Sequence, residues 1–177
     1  MHLHWNKLLN TDCVVVGVGP HTIYPIFRVA YTSLMYACDK KYVNSEIEQC
    51  NHIDIMIREP EERFVSGVNE YCVQHKSNVE ITWKEINDGT LQDRHFAPQY
   101  FWLLHLYKWY KGLITIRPFQ HISNITDIHA NKSQSYYSKI DVPVIESFVA
   151  VDRHLTKYYN ETVNIDDLIK RYKHALS

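Results

Sequence analysis

The order of elements along this chain predicts a three-layer α/β domain with a short, mainly parallel sheet flanked by helices. Three observations lead there. Apolar, β-rich runs alternate with helical stretches, no Gly/Pro/Ser-rich linker or internal repeat interrupts residues 1–177, and 45% of the residues are hydrophobic, enough for one sizeable core. A single domain is therefore expected.

Residues 12–19 read as a strand, and 22–27 as a second. Pro25, which lacks an N–H, places that second strand at a sheet edge or near a strand start. Residues 32–41 read as a helix, with Leu34, Met35, Ala37 and Cys38 on neighbouring turns and Thr32 or Ser33 as its cap. Residues 53–57 form a buried strand that ends at Arg58. Pro60 suits the first turn of the amphipathic helix that follows over 61–74. The aromatic stretch 98–110 reads as a buried helix to which Phe101, Leu104, Leu106 and Trp109 contribute packing. A short strand follows at 112–117, a polar loop at 131–138, and two helices at 145–158 and 165–176, the second capped by Asn164.

Composition excludes several classes. With 19 basic and 20 acidic residues the formal charge is −1, so no global field attracts nucleic acid or an anionic membrane, and anion binding must be local. The 13 tyrosines could line a sugar or nucleic-acid surface, but basic residues do not cluster as nucleic acid would need. The four cysteines lack C-x-x-C spacing and read as free thiols of a reducing compartment. With no apolar run near the roughly 20 residues that span a bilayer, a cytoplasmic protein without membrane contact is expected. Despite His2 and His4, no His-Glu-x-x-His or Cys/His ligand set is present, and no metal is expected.

Two segments carry the chemistry. Arg58, a forked cation at a strand's carboxyl end, and Ser66, a hydroxyl on the following helix, make a trap for phosphate. The second trap is Arg28, Val29, Ala30, Tyr31, Thr32 and Ser33, where a strand gives way to a basic residue, a short loop and hydroxyls opening a helix. Neither a Walker A loop nor a complete Gly-x-Gly-x-x-Gly fingerprint is present. Two separate phosphate traps suit 3′-phosphoadenosine 5′-phosphosulfate (PAPS), which bears charged groups at both ends of its ribose.

Residues 57–67, Ile-Arg-Glu-Pro-Glu-Glu-Arg-Phe-Val-Ser-Gly, resemble the 3′-phosphate motif of the sulfotransferase family. Residues 27–34 are similar to its 5′-phosphosulfate loop, and residues 93–99 and 129–133 to segments of its carbohydrate-directed branch. The resemblance implies a P-loop-like arrangement in which Arg58 and Ser66 hold the 3′-phosphate and the 29–33 backbone with Thr32 and Ser33 cradles the 5′-phosphosulfate. Arg63 would brace that region, and Asn131, Lys132 and Ser133 would close over the nucleotide. Arg28 stands where the family usually has lysine.

His95 is the candidate base that takes the acceptor's proton, with Asp93 to orient it and His129 as second choice. Glu59 and Glu62 are rival carboxylates, but their place beside Arg58 and Arg63 points to ion pairing. The implied activity is PAPS-dependent sulfuryl transfer to a hydroxyl acceptor of carbohydrate type. So short a chain leaves the acceptor in an open cleft, or a homo-oligomer to complete the site. Two alternatives stay open: a nucleotide kinase with a degenerate phosphate loop, and a non-catalytic protein that binds nucleotide.

Overall fold

The computed structural model describes residues 6–125 and 141–176. Its frame is a six-stranded mixed, open sheet in the order β3-β1-β2-β4-β5-β6, flanked by helices. After a single helical turn, α1 (Asn6–Leu9), strands β1 (Val14–Val18) and β2 (His21–Tyr24) form an antiparallel hairpin. Gly19 turns the hairpin with φ of 56°, a left-handed conformation that an L side chain resists. Helix α2 (Tyr31–Ala37) leads to β3 (Lys40–Val43), which pairs antiparallel with β1. The chain then crosses to β4 (His52–Ile57), parallel to β2.

Helices α3 (Pro60–His75), α4 (Val79–Asn87) and α5 (Gln99–Tyr107) connect β4 to its parallel neighbour β5 (Leu113–Pro118). The chain closes with α6 (Glu146–Thr156), the antiparallel edge strand β6 (Thr162–Asn164) and α7 (Ile165–Leu176). Strand β4 lies at the centre, and Ile53, Ile55, Met56 and Ile57 are buried from both faces, as an interior parallel strand requires. Helix α5 lays Tyr100, Trp102, Leu103 and Leu106 into the core, while Phe101, Leu104 and Trp109 pack partly buried around them. The Asn164 side chain accepts from the Asp166 N–H at 2.9 Å, capping α7 as its sequence suggests.

Four expectations need correction. The sheet is not mainly parallel: only the β2–β4 and β4–β5 pairs are parallel, while β1–β2, joined by a tight turn, β1–β3 and β5–β6 are antiparallel. Strand β2 is interior, and it stops at Tyr24, immediately before Pro25. Helix α2 ends at Ala37 instead of continuing to 41; Lys40 and Lys41 begin an edge strand, where exposed lysines discourage further pairing. Finally, Ala30 occupies the N-cap of α2 without a side-chain cap, so Thr32 and Ser33 lie within the first turn.

All four cysteines are free thiols, with Cys13 and Cys72 buried and Cys38 and Cys50 partly so. No helix among the described residues is long and apolar enough to cross a membrane.

Candidate anion site at the switch point

Strands β2 and β4 are parallel neighbours whose connections leave in opposite directions. From β2 the chain turns through α2 toward β3 on one side of the sheet, and from β4 it runs through α3, α4 and α5 toward β5 on the other. Such a reversal opens a crevice beyond the carboxyl ends of the strands, where open α/β sheets bind ligands. Arg28 lies in the loop after β2, and Arg58 is the first residue after β4.

The two loops meet at one point. Arg28 donates from Nε and Nη2 to the Ser66 hydroxyl at 3.0 and 2.7 Å, and from Nη1 to Glu70 Oε2 at 3.3 Å. Its loop is strained, with non-glycine φ values of 65° at Arg28 and 56° at Ala30. Arg63, wholly buried, holds that loop in place by donating to the Phe27 carbonyl at 3.1 Å and the Ala97 carbonyl at 2.5 Å. This is the bracing geometry expected of it. Burial lowers the Arg63 guanidinium to about 10, helped by the charges of Arg58 and Arg28 and opposed by Asp152.

Of the six residues expected in the β2 loop, Val29 turns its side chain into the core and commits its N–H to the Ile26 carbonyl at 3.0 Å. Tyr31, Thr32 and Ser33 open α2, where first-turn N–H groups lack carbonyl partners within the helix. Thr32 is exposed and Ser33 half-buried.

Arg58 is fixed through its backbone. The Gln99 amide accepts from its N–H and donates to its carbonyl, both at 2.9 Å. Gln99 is in turn held by Asp152, whose carboxylate accepts the Gln99 and Tyr100 N–H groups at 2.7 and 2.9 Å and so caps α5 from α6. Burial raises the Asp152 carboxyl to about 6, against the pull of Arg63 and these hydrogen bonds. The Arg58 side chain is only 10% exposed, and its Nε, without a partner in hydrogen-bond geometry, faces only Glu62 as an ion pair. The nearest carboxylate, Glu62, approaches to 3.5 Å but is 65% exposed. Burial holds the Arg58 guanidinium below its ordinary value; Glu62 opposes this and the charge of Arg28 adds to it. A buried guanidinium with an unused donor beside a second guanidinium is a fit for a phosphate.

His95 belongs to the same neighbourhood. Its ring lies 5.4 Å from that of Phe27, and its backbone presses so closely on α3 that a Cβ on Gly67 would stand 2.2 Å from the His95 carbonyl. Only glycine permits that approach, directly beside Ser66. Asp93 Oδ1 accepts from the His95 N–H at 2.9 Å and from Nδ1 at 2.5 Å. In the neutral ring that contact puts the proton on Nδ1 and leaves the lone pair on Nε2. Burial raises the Asp93 carboxyl, but the hydrogen bonds and charge of His95, with Arg94, outweigh it and hold the group below its ordinary value.

Glu59 is exposed, and its carbonyl starts α3 by accepting the Arg63 N–H. The expected loop residues Asn131, Lys132 and Ser133, with His129, lie outside the described residues. Sequence reasoning missed Glu70, Gln99 and Asp152. Only Glu70 carried a local signal, its position one turn after Ser66 on the same helix face. A cavity of about 630 Å³ lies elsewhere, against α4, lined by Ser77, Asn78, Trp83 and Asp141 among others. No residue of the arginine cluster borders it.

Fold and site together define an α/β protein with three guanidiniums clustered at the reversal of its sheet. Comparison with protein-family models, with curated proteins and with solved structures found no match for the chain. Among the described residues no group of three His, Cys, Asp or Glu side chains could hold a metal ion.

Proposed function

We propose that this chain is a PAPS-dependent sulfotransferase with a P-loop-like nucleotide site, moving the sulfuryl group to a hydroxyl, most readily that of a carbohydrate. The observation that carries the reading is the contact of Arg28 with Ser66. Two segments that resemble opposite ends of one nucleotide site lie 38 residues apart in the chain, yet touch at 2.7 Å beyond two adjacent strand ends. The acceptor class rests on the resemblance of residues 93–99, which supply the His95–Asp93 pair.

In this reading Arg58 and Ser66 hold the 3′-phosphate, and Arg28 with the first turn of α2 receives the 5′-phosphosulfate. His95 Nε2 takes the acceptor's proton while Asp93 steadies the imidazolium that forms. A bond forms between the acceptor oxygen and sulfur, and the bond from sulfur to the bridging oxygen breaks. The electron pair remains on the 5′-phosphate of the departing adenosine 3′,5′-bisphosphate, and Arg28 offsets the growing charge there. Positioning and electrostatics do most of this work, as in phosphoryl transfer.

Calorimetry with adenosine 3′,5′-bisphosphate and with ATP–magnesium tests the reading. Binding of the bisphosphate in preference to ATP is expected, and the reverse preference would make the chain a kinase-like nucleotide protein. His95→Ala should lower turnover by about 100-fold with nucleotide affinity held; an unchanged rate would assign the base elsewhere. One observation favours a non-catalytic binder instead, namely that Arg28, in place of lysine, is already tied to Ser66 and Glu70. Release of adenosine 3′,5′-bisphosphate from PAPS decides between the two.

A further inference from the structure

We propose that Glu70 is the positioning residue for Arg28, fixing the plane of its guanidinium; this rests on the sulfotransferase reading. Three guanidiniums share the site, and each has one carboxylate, but the three carboxylates differ. Glu62 beside Arg58 is mostly exposed and free to swing into water. Asp152, which faces Arg63, is buried and occupied by the N–H groups that begin α5. Glu70 is only 14% exposed, and its Oε1 is anchored by the Gln74 amide at 2.8 Å while Oε2 meets Arg28 at 3.3 Å. It stays where it is.

The geometry explains why a carboxylate belongs there. A lysine ammonium is a point charge that can be aimed by one partner, whereas a guanidinium is a planar fork whose usefulness depends on its plane. Ser66 takes Nε and Nη2 through a single oxygen, which leaves rotation about that contact open. Glu70, one helical turn further along α3, takes Nη1 and closes it.

A fixed carboxylate also weakens the pull of Arg28 on a bound phosphate, in ground and transition states alike. Attraction that is equal in ground and transition states does nothing for the chemical step, and only its growth as the bridging bond breaks lowers the barrier. Glu70 therefore costs affinity for the nucleotide through its charge, and favours turnover only by holding the guanidinium in the plane that meets the bridging oxygen.

The test compares wild type, Glu70→Gln and Glu70→Ala in three measurements: calorimetric affinity for adenosine 3′,5′-bisphosphate, kcat for PAPS hydrolysis with water as acceptor, and Tm. Glu70→Gln keeps the length and an acceptor oxygen but removes the charge. It should tighten bisphosphate binding about fivefold and lower kcat about tenfold, with Glu70→Ala lower still in kcat. A merely structural ion pair predicts the opposite split, with weaker binding, lower Tm and kcat within twofold of wild type; that outcome overturns the proposal. A wild type that binds the bisphosphate but does not turn over PAPS overturns it together with the catalytic reading, and a wild type that does not bind the bisphosphate overturns the nucleotide site itself.

Discussion

Arg58 and Arg117 sit at the carboxyl ends of neighbouring parallel strands, β4 and β5, and differ in what neutralises them. Arg117 is 29% exposed, and its partner Asp54 is 7% exposed, a fixed carboxylate at 3.4 Å, with Asn160 at the same distance on the other side. Around it the sheet is stitched by further polar pairs, His52 to Thr115 and Thr115 to Thr162, each 2.7 Å apart. Arg58 is the more buried of the two, but its Nε meets only the solvent-exposed Glu62 carboxylate, at 3.5 Å. The lesson concerns counter-charge more than burial. At these two strand ends a buried, held carboxylate makes Arg117 a tie within the fold, whereas an exposed and removable one leaves Arg58 the better candidate for an external anion; Arg28, with its held Glu70, combines both situations.

Arg63 gives the most severe test of that distinction, because it belongs to the first class while standing in the middle of the second. Arg63→Met should cost about 3–5 kcal/mol in chemical denaturation, since it strands Asp152 and frees the Phe27 and Ala97 carbonyls. The loss should depend on pH with a definite sign. The Asp152 carboxyl is already raised from 3.8 to about 6 in the fold. A raised folded value means stability that is fully present below the unfolded value and is lost as pH rises through the folded one. Without Arg63 the folded value climbs further, so the variant should be closer to wild type at pH 5 than at pH 8. A defect independent of pH would place the damage elsewhere.

Arg58→Ala should do the reverse, weakening adenosine 3′,5′-bisphosphate by about 2–3 kcal/mol in calorimetry while stability barely changes. Full-strength binding would remove Arg58 from the site and break the contrast with Arg117. Gly67→Ala probes the contact that brings His95 to α3. The added methyl collides with the His95 carbonyl, and backbone on both sides cannot yield as a flexible side chain would. A stability loss of about 1–3 kcal/mol is expected, with turnover falling more than nucleotide affinity, because the displaced residue is the proposed base and not a proposed phosphate ligand.

Much of this contrast was legible in the chain itself, and the rest fails for identifiable reasons. Arg58, Pro60 and Ser66 are readable because strand end, helix start and the next turns are local and their spacing fixes their mutual placement. Asp93 and His95 are two residues apart and meet through one carboxylate oxygen, also a local event. Gln99 and Asp152 are silent in the sequence. Gln99 reads as one more residue of an aromatic helix, and only the packing of α6 on α5 turns Asp152 into its cap. Strands β3 and β6 escaped because an edge strand bearing two lysines and one of three residues carry no alternating apolar pattern. Helix α4 did carry a signal, in Asn78 accepting from the Glu80 and Ile81 N–H groups ahead of a periodic run.

Arg117→Gln should have the smallest effect and is the sharpest control. The substitution leaves Asp54 with His21, at 3.9 Å, and the nearby His121 as basic neighbours, so a stability loss of about 1 kcal/mol is expected from the weakened pairing. Nucleotide affinity should stay within twofold, since the charge removed was already neutralised by a carboxylate that does not leave. Were binding to fall as far as in Arg58→Ala, the site would extend across β5 in spite of the fixed counter-charge of Asp54. The two variants measured side by side therefore decide whether the anion site ends at β4, where the chain reverses, or spans the whole parallel centre of the sheet.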